Sequence, residues 1–133
     1  MKILVNLLLV VSSVIFMSFT FNLNFTFVQD KWVAPESSKE LKNPFAGNES
    51  IAKGETIYKT RCLICHGVSG TGDGPAGKAL NPPATDVTAD YLQNQTDGEL
   101  FWKVSEGRGA MVGWKLILSE EERWALINYM RTL

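Results

Sequence analysis

The segment Cys62-Leu63-Ile64-Cys65-His66 gathers both cysteines and the single histidine of a 133-residue chain into five consecutive positions. Three Cys and His side chains cannot complete a four-ligand Cys/His zinc site, and two cysteines do not make a dense disulfide scaffold. The Cys-x-x-Cys-His spacing is that of c-type haem attachment. Two thiols one helical turn apart can each add to a vinyl group on the same porphyrin edge. The adjacent imidazole then lies under the ring and offers a nitrogen to iron. Three other readings stand beside this one. A thioredoxin-like redox pair wants a βαβ context, whereas the pattern here is helix–loop–helix. A Cys62–Cys65 disulfide closes a strained, tiny loop, and a partial zinc site is the third.

An iron that carries electrons without binding small ligands needs a second axial partner, and no second histidine exists. The chain has four methionines. Met1 and Met17 fall in the apolar N-terminal stretch, and Met130 falls within the last helical pattern, where a core role is expected. Met111 lies in Gly107-Arg108-Gly109-Ala110-Met111-Val112-Gly113-Trp114, a glycine-rich loop able to bring backbone and thioether close to a flat ring. Elimination and loop context agree on Met111. The competing reading makes Met111 an apolar loop residue and leaves the iron five-coordinate.

With these residues in view, the chain from about residue 47 to 133 resembles a small bacterial mono-haem class I cytochrome c. The resemblance rests on residues 62–67, on Gly72-Asp73-Gly74-Pro75-Ala76, on the Met111 loop and on the C-terminal pattern Ser119-Glu120-Glu121-Glu122-Arg123-Trp124. It implies an all-α fold of about four helices and loops wrapped around one covalent haem c. Cys62 and Cys65 would bind the porphyrin, and His66 and Met111 would ligate the iron. It also implies that a proline carbonyl accepts a hydrogen bond from the ligating histidine. Pro75 matches that position first, with Pro82 and Pro83 behind it. Gly54 and Tyr58 match a glycine and an aromatic residue that let the first and last helices cross closely. In one respect the chain departs from many relatives: Val112, not proline, follows the methionine.

The N-terminus reads separately from this domain. Lys2 precedes residues 3–29, which carry no charged side chain. The run from Ile3 to Val11 has the character of an export signal. Phe19, Phe21, Leu23, Phe25 and Phe27 then alternate with Thr20, Asn22, Asn24 and Thr26, a strand period. Ser18-Phe19-Thr20 offers small residues for processing, and cleavage near Gln29-Asp30 is the other candidate. A cleaved signal, an uncleaved anchor approaching the roughly 20 residues of a membrane span, and a buried core helix all remain open. Residues 1–29 are thus an export signal or anchor, 30–46 an extended lead-in with Trp32 and Phe45 as points of attachment, and 47–133 the domain. So small a domain ordinarily needs a staple, metal or cofactor.

Within the domain, a first helix is expected over about residues 49–65 with Asn48 as N-cap. Residues 67–83 hold five glycines and three prolines, hence a loop. Helices beginning at Thr96-Asp97-Gly98-Glu99 and Ser119-Glu120-Glu121-Glu122 carry capping boxes. Trp102 and Trp114 are candidate indole donors to a haem propionate, or ordinary core residues. Net charge is −1, which argues against nucleic acid as a partner. Lys78, Lys103, Arg108 and Lys115 are candidates to ring a haem edge. No base is paired with an activated nucleophile, so no enzyme activity is read. The expectation is a periplasmic one-electron carrier serving redox protein partners. A tethered subunit of a membrane respiratory complex and a ligand-binding haem sensor are the alternatives.

Overall fold

Glycine and threonine decide the course of the first helix. The structure, a computed structural model, describes residues 32–133, so the export and anchor readings of residues 1–29 lie outside the described residues. The chain divides into Met1–Trp32 and Val33–Leu133. In the second unit a 3-10 helix (Glu36–Glu40) precedes α1 (Asn48–Ile57), a π-helical turn (Tyr58–Cys62) and α2 (Leu63–His66). These three run on as one helix. Then follow α3 (Pro75–Lys78), α4 (Asp90–Gln93), α5 (Asp97–Glu106) and α6 (Glu120–Met130). The described residues hold no strand, only an isolated bridge between Arg108 and Met111. The all-α expectation holds: among the described residues, counting α1 through α2 as one, five helices stand against about four expected, the short α3 and α4 dividing the loop regions.

Asn48 is not the cap of α1. Gly47 takes that position with φ 117° and no side-chain capping bond, and Ile51 N–H donates to Gly47 O at 3.2 Å. This turn requires the left-handed backbone that glycine adopts at little cost. The π-helical turn was not expected either. Leu63 N–H reaches back five residues to Tyr58 O, and Thr60 Oγ1 lies 3.0 Å from both Thr56 O and Ile57 O. A hydroxyl placed to bond main-chain carbonyls supplies a local alternative to the regular ladder.

The helix leading to the motif is clamped on α6. A Cβ built on Gly54 would lie 1.9 Å from Ala125 O and 2.9 Å from Tyr129 Cβ, so the two backbones meet at a point where no side chain fits. One turn on, the Tyr58 and Tyr129 rings pack with centroids 5.3 Å apart and planes at 57°. The Gly54 and Tyr58 pairing read from the resemblance is present. Around it lie buried Ile57, Leu100, Val104, Leu126, Ile127 and Met130, placing Met130 in the core as expected. The Phe101 and Trp124 rings stack at 3.9 Å, joining α5 to α6.

Residues 33–46 are less extended than expected. Ala34 and Ser38 are buried, and the Ser38 carbonyl abuts Gly98, where a Cβ would lie 2.0 Å away. Asn128 on α6 ties the segment down. Its Oδ1 accepts from Asn43 Nδ2 at 2.6 Å, and its Nδ2 donates to Phe45 O and, at 2.8 Å, to Ser50 Oγ. These partners are far apart in sequence, which hides them from local periodicity.

Both capping boxes form. Thr96 and Ser119 N–H each donate at 2.8 Å to the glutamate three residues on, Glu99 and Glu122, whose own N–H groups return bonds of 3.2 Å. The backbone N–H of Ser119, then its hydroxyl, hold the Glu122 carboxyl below the ordinary range.

Two outcomes follow. Helix propensity alone would make Gly54→Ala stabilising by about 1 kcal/mol, but the clash with Ala125 O prevails. Chemical denaturation should show a net loss of ~1–3 kcal/mol, and unchanged stability would mean the crossing is not tight. Glu122 has a depressed folded pKa, so its contribution is complete above the ordinary carboxylate range and is lost as pH falls through the folded value. Glu122→Gln keeps an acceptor but cannot titrate. Its melting temperature should fall less than wild type's between about pH 5 and 3.

Candidate haem attachment site

The motif occupies the end of the clamped helix. Cys62 closes the π-helical turn, and Cys65 and His66 end α2. Both cysteines are free thiols of intermediate exposure, one turn apart as vinyl attachment requires. Burial, and after it the neighbouring Cys65, push the Cys62 thiol up to about 12. Cys62 is therefore a protonated thiol near neutrality. Cys62, Leu63, Met111 and Trp114 all pack against the same hydrophobic cluster.

Gly67 stops the helix with φ 79°, and its N–H donates to Leu63 O at 2.8 Å. The buried Tyr58 hydroxyl donates to Gly67 O at 2.9 Å. Burial raises the Tyr58 pKa above its usual value, so the phenol remains a neutral donor. From there a glycine-lined loop folds back on the motif. Cβ atoms on Gly74 and Gly77 would meet Ile64 O at 2.5 Å and Cys65 O at 2.0 Å. Bulkier residues would push this loop off the carbonyl face of the motif helix.

His66 Nδ1 lies 2.9 Å from Thr85 O. A carbonyl only accepts, so this bond places the proton on Nδ1 and leaves the Nε2 lone pair for a metal. The acceptor differs from the expected one. Pro75 is instead the first residue of α3, where its missing N–H costs nothing. Pro82 and Pro83 stop short of the carbonyl that is used, the loop carrying the chain on to Thr85 before it turns. A carbonyl acceptor has no side-chain signature, so residue type alone could not single out Thr85.

Met111 sits in the turn between α5 and α6. Arg108 and Met111 exchange two backbone hydrogen bonds of 3.0 Å. Gly107 turns with φ 68°, and a Cβ there would lie 2.4 Å from both Met111 O and Gly113 N. Trp114 N–H donates to Val104 O at 3.0 Å, returning the loop to α5. Met111 is half-buried and Trp114 likewise. Lys103 does not belong among surface charges: it is buried, its ammonium donates to Gln95 Oε1 at 2.5 Å, and burial lowers its pKa. Lys115 is paired with Glu106 at 3.2 Å, while Lys78 and Arg108 are exposed.

Two unpaired thiols at one-turn spacing, an imidazole with its tautomer set by a carbonyl, and a loop without Cβ atoms against the motif fit a covalently attached haem. The family described as cytochrome c oxidase, cbb3-type, subunit III matches residues 49–130. The chain belongs to the cytochrome c family. A cytochrome c domain implies covalent haem c with iron, and the spacing of Cys62 and Cys65 is consistent with its attachment. The domain is 32% identical over 80 residues to a cytochrome c6 of Euglena gracilis, covering 59% of this chain and 87% of that one. It is 31% identical over 109 residues to a cytochrome c oxidase subunit 2 of Alkalihalophilus pseudofirmus, covering 78% of this chain but only 31% of that protein's length. In a Kuenenia stuttgartiensis reducing HAO-like protein complex, a chain of known structure superposes with TM-score 0.60 and 25% identity. That likeness covers 71% of this chain and 47% of the other. The match to cytochrome c6 spans most of a small mono-haem protein, so the domain is an electron carrier.

Tyr58→Phe removes a buried donor and leaves Gly67 O without it. About 1–3 kcal/mol of stability should be lost, measured by denaturation of the haem-loaded protein. A loss no larger than about 0.5 kcal/mol, the usual range for neutral surface changes, would mean that the Tyr58 bond does not secure the motif helix.

Proposed function

We propose that the protein is an exported mono-haem cytochrome c in which His66 and Met111 are the axial ligands. The observation that carries this reading is the Nδ1–Thr85 bond of 2.9 Å, which leaves Nε2 as the free nitrogen of an imidazole beside both attachment thiols. Bound haem supplies a one-electron Fe(III)/Fe(II) couple; the chain holds, orients and tunes it. Cys62 and Cys65 prevent its loss. His66 Nε2 and the Met111 thioether would hold the iron, and a thioether ligand would raise the reduction potential relative to harder ligands. Filling both positions excludes dioxygen and other small ligands.

The partners are an electron donor and an electron acceptor, both redox proteins. Nearly balanced charge gives little long-range steering. A second reading places this domain as a haem subunit of a membrane respiratory complex. It is favoured by the family description and by the oxidase subunit 2 similarity. Among the described residues no helix is long and apolar enough to cross a membrane. Extraction from membranes without detergent distinguishes a released shuttle from an anchored subunit.

An optical spectrum tests the ligand set. Wild type should be low-spin in both oxidation states, show a thioether–iron charge-transfer band when ferric, and be unmoved by carbon monoxide when ferrous. Met111→Ala should abolish that band, admit carbon monoxide and lower the midpoint potential. Ready carbon monoxide binding by wild type would defeat the two-ligand carrier and favour a sensor.

A further inference from the structure

The carbonyl that orients His66 belongs to a segment with no regular secondary structure, and the loop beyond the motif holds it by several independent contacts. Gly72 touches both sides of the junction. Its N–H donates to His66 O at 2.9 Å. On its other side a Cβ would lie 2.3 Å from Ala84 O and 3.2 Å from the carbonyl carbon of Thr85. Its φ of 78° also favours glycine. Ala84 N–H donates to Gly77 O at 3.1 Å, and Val87 N–H to Gly70 O at 2.8 Å. Immediately after Thr85, Asp86 Oδ1 accepts from Thr88 N–H at 2.8 Å and Thr88 Oγ1 at 2.6 Å, closing a side-chain turn.

We propose that Gly72 and Asp86 are positioning residues for the axial imidazole: Gly72 sets how closely residues 84–85 approach His66, and Asp86 locks the turn that aims the Thr85 carbonyl at Nδ1. The inference rests on His66 as iron ligand and adds the residues that act through it. A hydrogen bond from Nδ1–H makes the imidazole a stronger donor through Nε2. A stronger donor favours the ferric state, so tightening the bond lowers the reduction potential and loosening it raises the potential.

Four variants of the haem-loaded protein test this. Gly72→Ala drives a methyl against Ala84 O, and Asp86→Ala removes the acceptor of the turn. Asp86→Asn keeps an oxygen that accepts the same two bonds. Asn43→Ala removes the bond to Asn128 instead. Two readouts are taken: the midpoint potential, and the NMR shift and solvent exchange of His66 Nδ1–H in the ferrous state. Gly72→Ala and Asp86→Ala should favour the ferrous form by about three- to tenfold, tenfold being ~59 mV for one electron, with faster Nδ1–H exchange. Asp86→Asn should restore both towards wild type, and Asn43→Ala should leave both unchanged while lowering stability. If Gly72→Ala fails to fold, Asp86→Ala with its Asn rescue decides.

Wild-type potential and exchange in Asp86→Ala, with His66 ligation intact, overturn the positioning roles alone. An equal shift in Asn43→Ala overturns them too, because general loosening would then suffice. If His66→Ala retains the wild-type axial spectrum, His66 is not the ligand, and the proposal falls together with the ligand assignment.

Discussion

The contact between Gly54 and the Ala125 carbonyl governs where everything else in the domain stands. With a Cβ position only 1.9 Å from that oxygen, α1 and α6 cross at backbone contact, closer than ordinary side-chain packing allows. The direction of α1 is thereby set, and the motif helix continues it through the π-helical turn to His66. From α6, the Trp124–Phe101 stack at 3.9 Å positions α5, and α5 leads into the Met111 turn. Both proposed ligand segments thus branch from the same crossing, one through α1 and one through α5. A change at Gly54 acts on the iron site at second hand, by moving the supports on which its ligands are carried.

What was legible in the sequence shares a physical character: it is short-range. The motif is five residues long, and both capping boxes are bonds between positions three apart. Both boxes formed as read, because the partners are already neighbours before any tertiary structure exists. Gly54 was legible only through the resemblance, since a lone glycine within a helix does not announce which backbone will press on it. The features that escaped are those in which distant segments settle a local choice. Asn48 has the right chemistry for a cap, yet Gly47 takes the position because the lead-in must turn there to bring Phe45 to Asn128. The π-helical turn could not be read from periodicity, which assumes a constant rise. The lead-in read as extended from its prolines and charges, whereas Ala34 is buried and the buried Ser38 lies with its carbonyl against Gly98, sixty residues on.

The Thr85 carbonyl is the most instructive miss. Proline was the candidate because the family resemblance implied a proline carbonyl, while the hydrogen bond needs only a backbone oxygen in the right place. Any residue supplies that oxygen. What matters is the geometry of the loop that delivers it: Gly72 admits the Ala84 carbonyl, Gly77 admits the Cys65 carbonyl of the motif helix, and the open face of Gly70 takes the side chains of Val87, Thr88 and Leu133. A functional residue can therefore be recognised by what presses on its neighbours, even when its own side chain is exposed and takes no part.

The type of acceptor bears on the chemistry as much as its position. A carboxylate at Thr85's place would pull harder on the Nδ1 proton, giving the imidazole more anionic character and stabilising the ferric state more strongly. A neutral carbonyl pulls less, and it has no proton of its own to gain or lose near neutrality. The tuning it applies is consequently moderate and independent of its own titration. Such an acceptor is compatible with a thioether on the opposite face, which itself favours the reduced state. The two proposed ligand contributions then oppose each other mildly: the Thr85 bond strengthens the histidine and favours the ferric state, though less than a carboxylate would, while the weakly donating sulfur favours the ferrous state. The backbone of a glycine-rich loop is well suited to hold that balance, because its position depends on hydrogen bonds and close contacts instead of on charge.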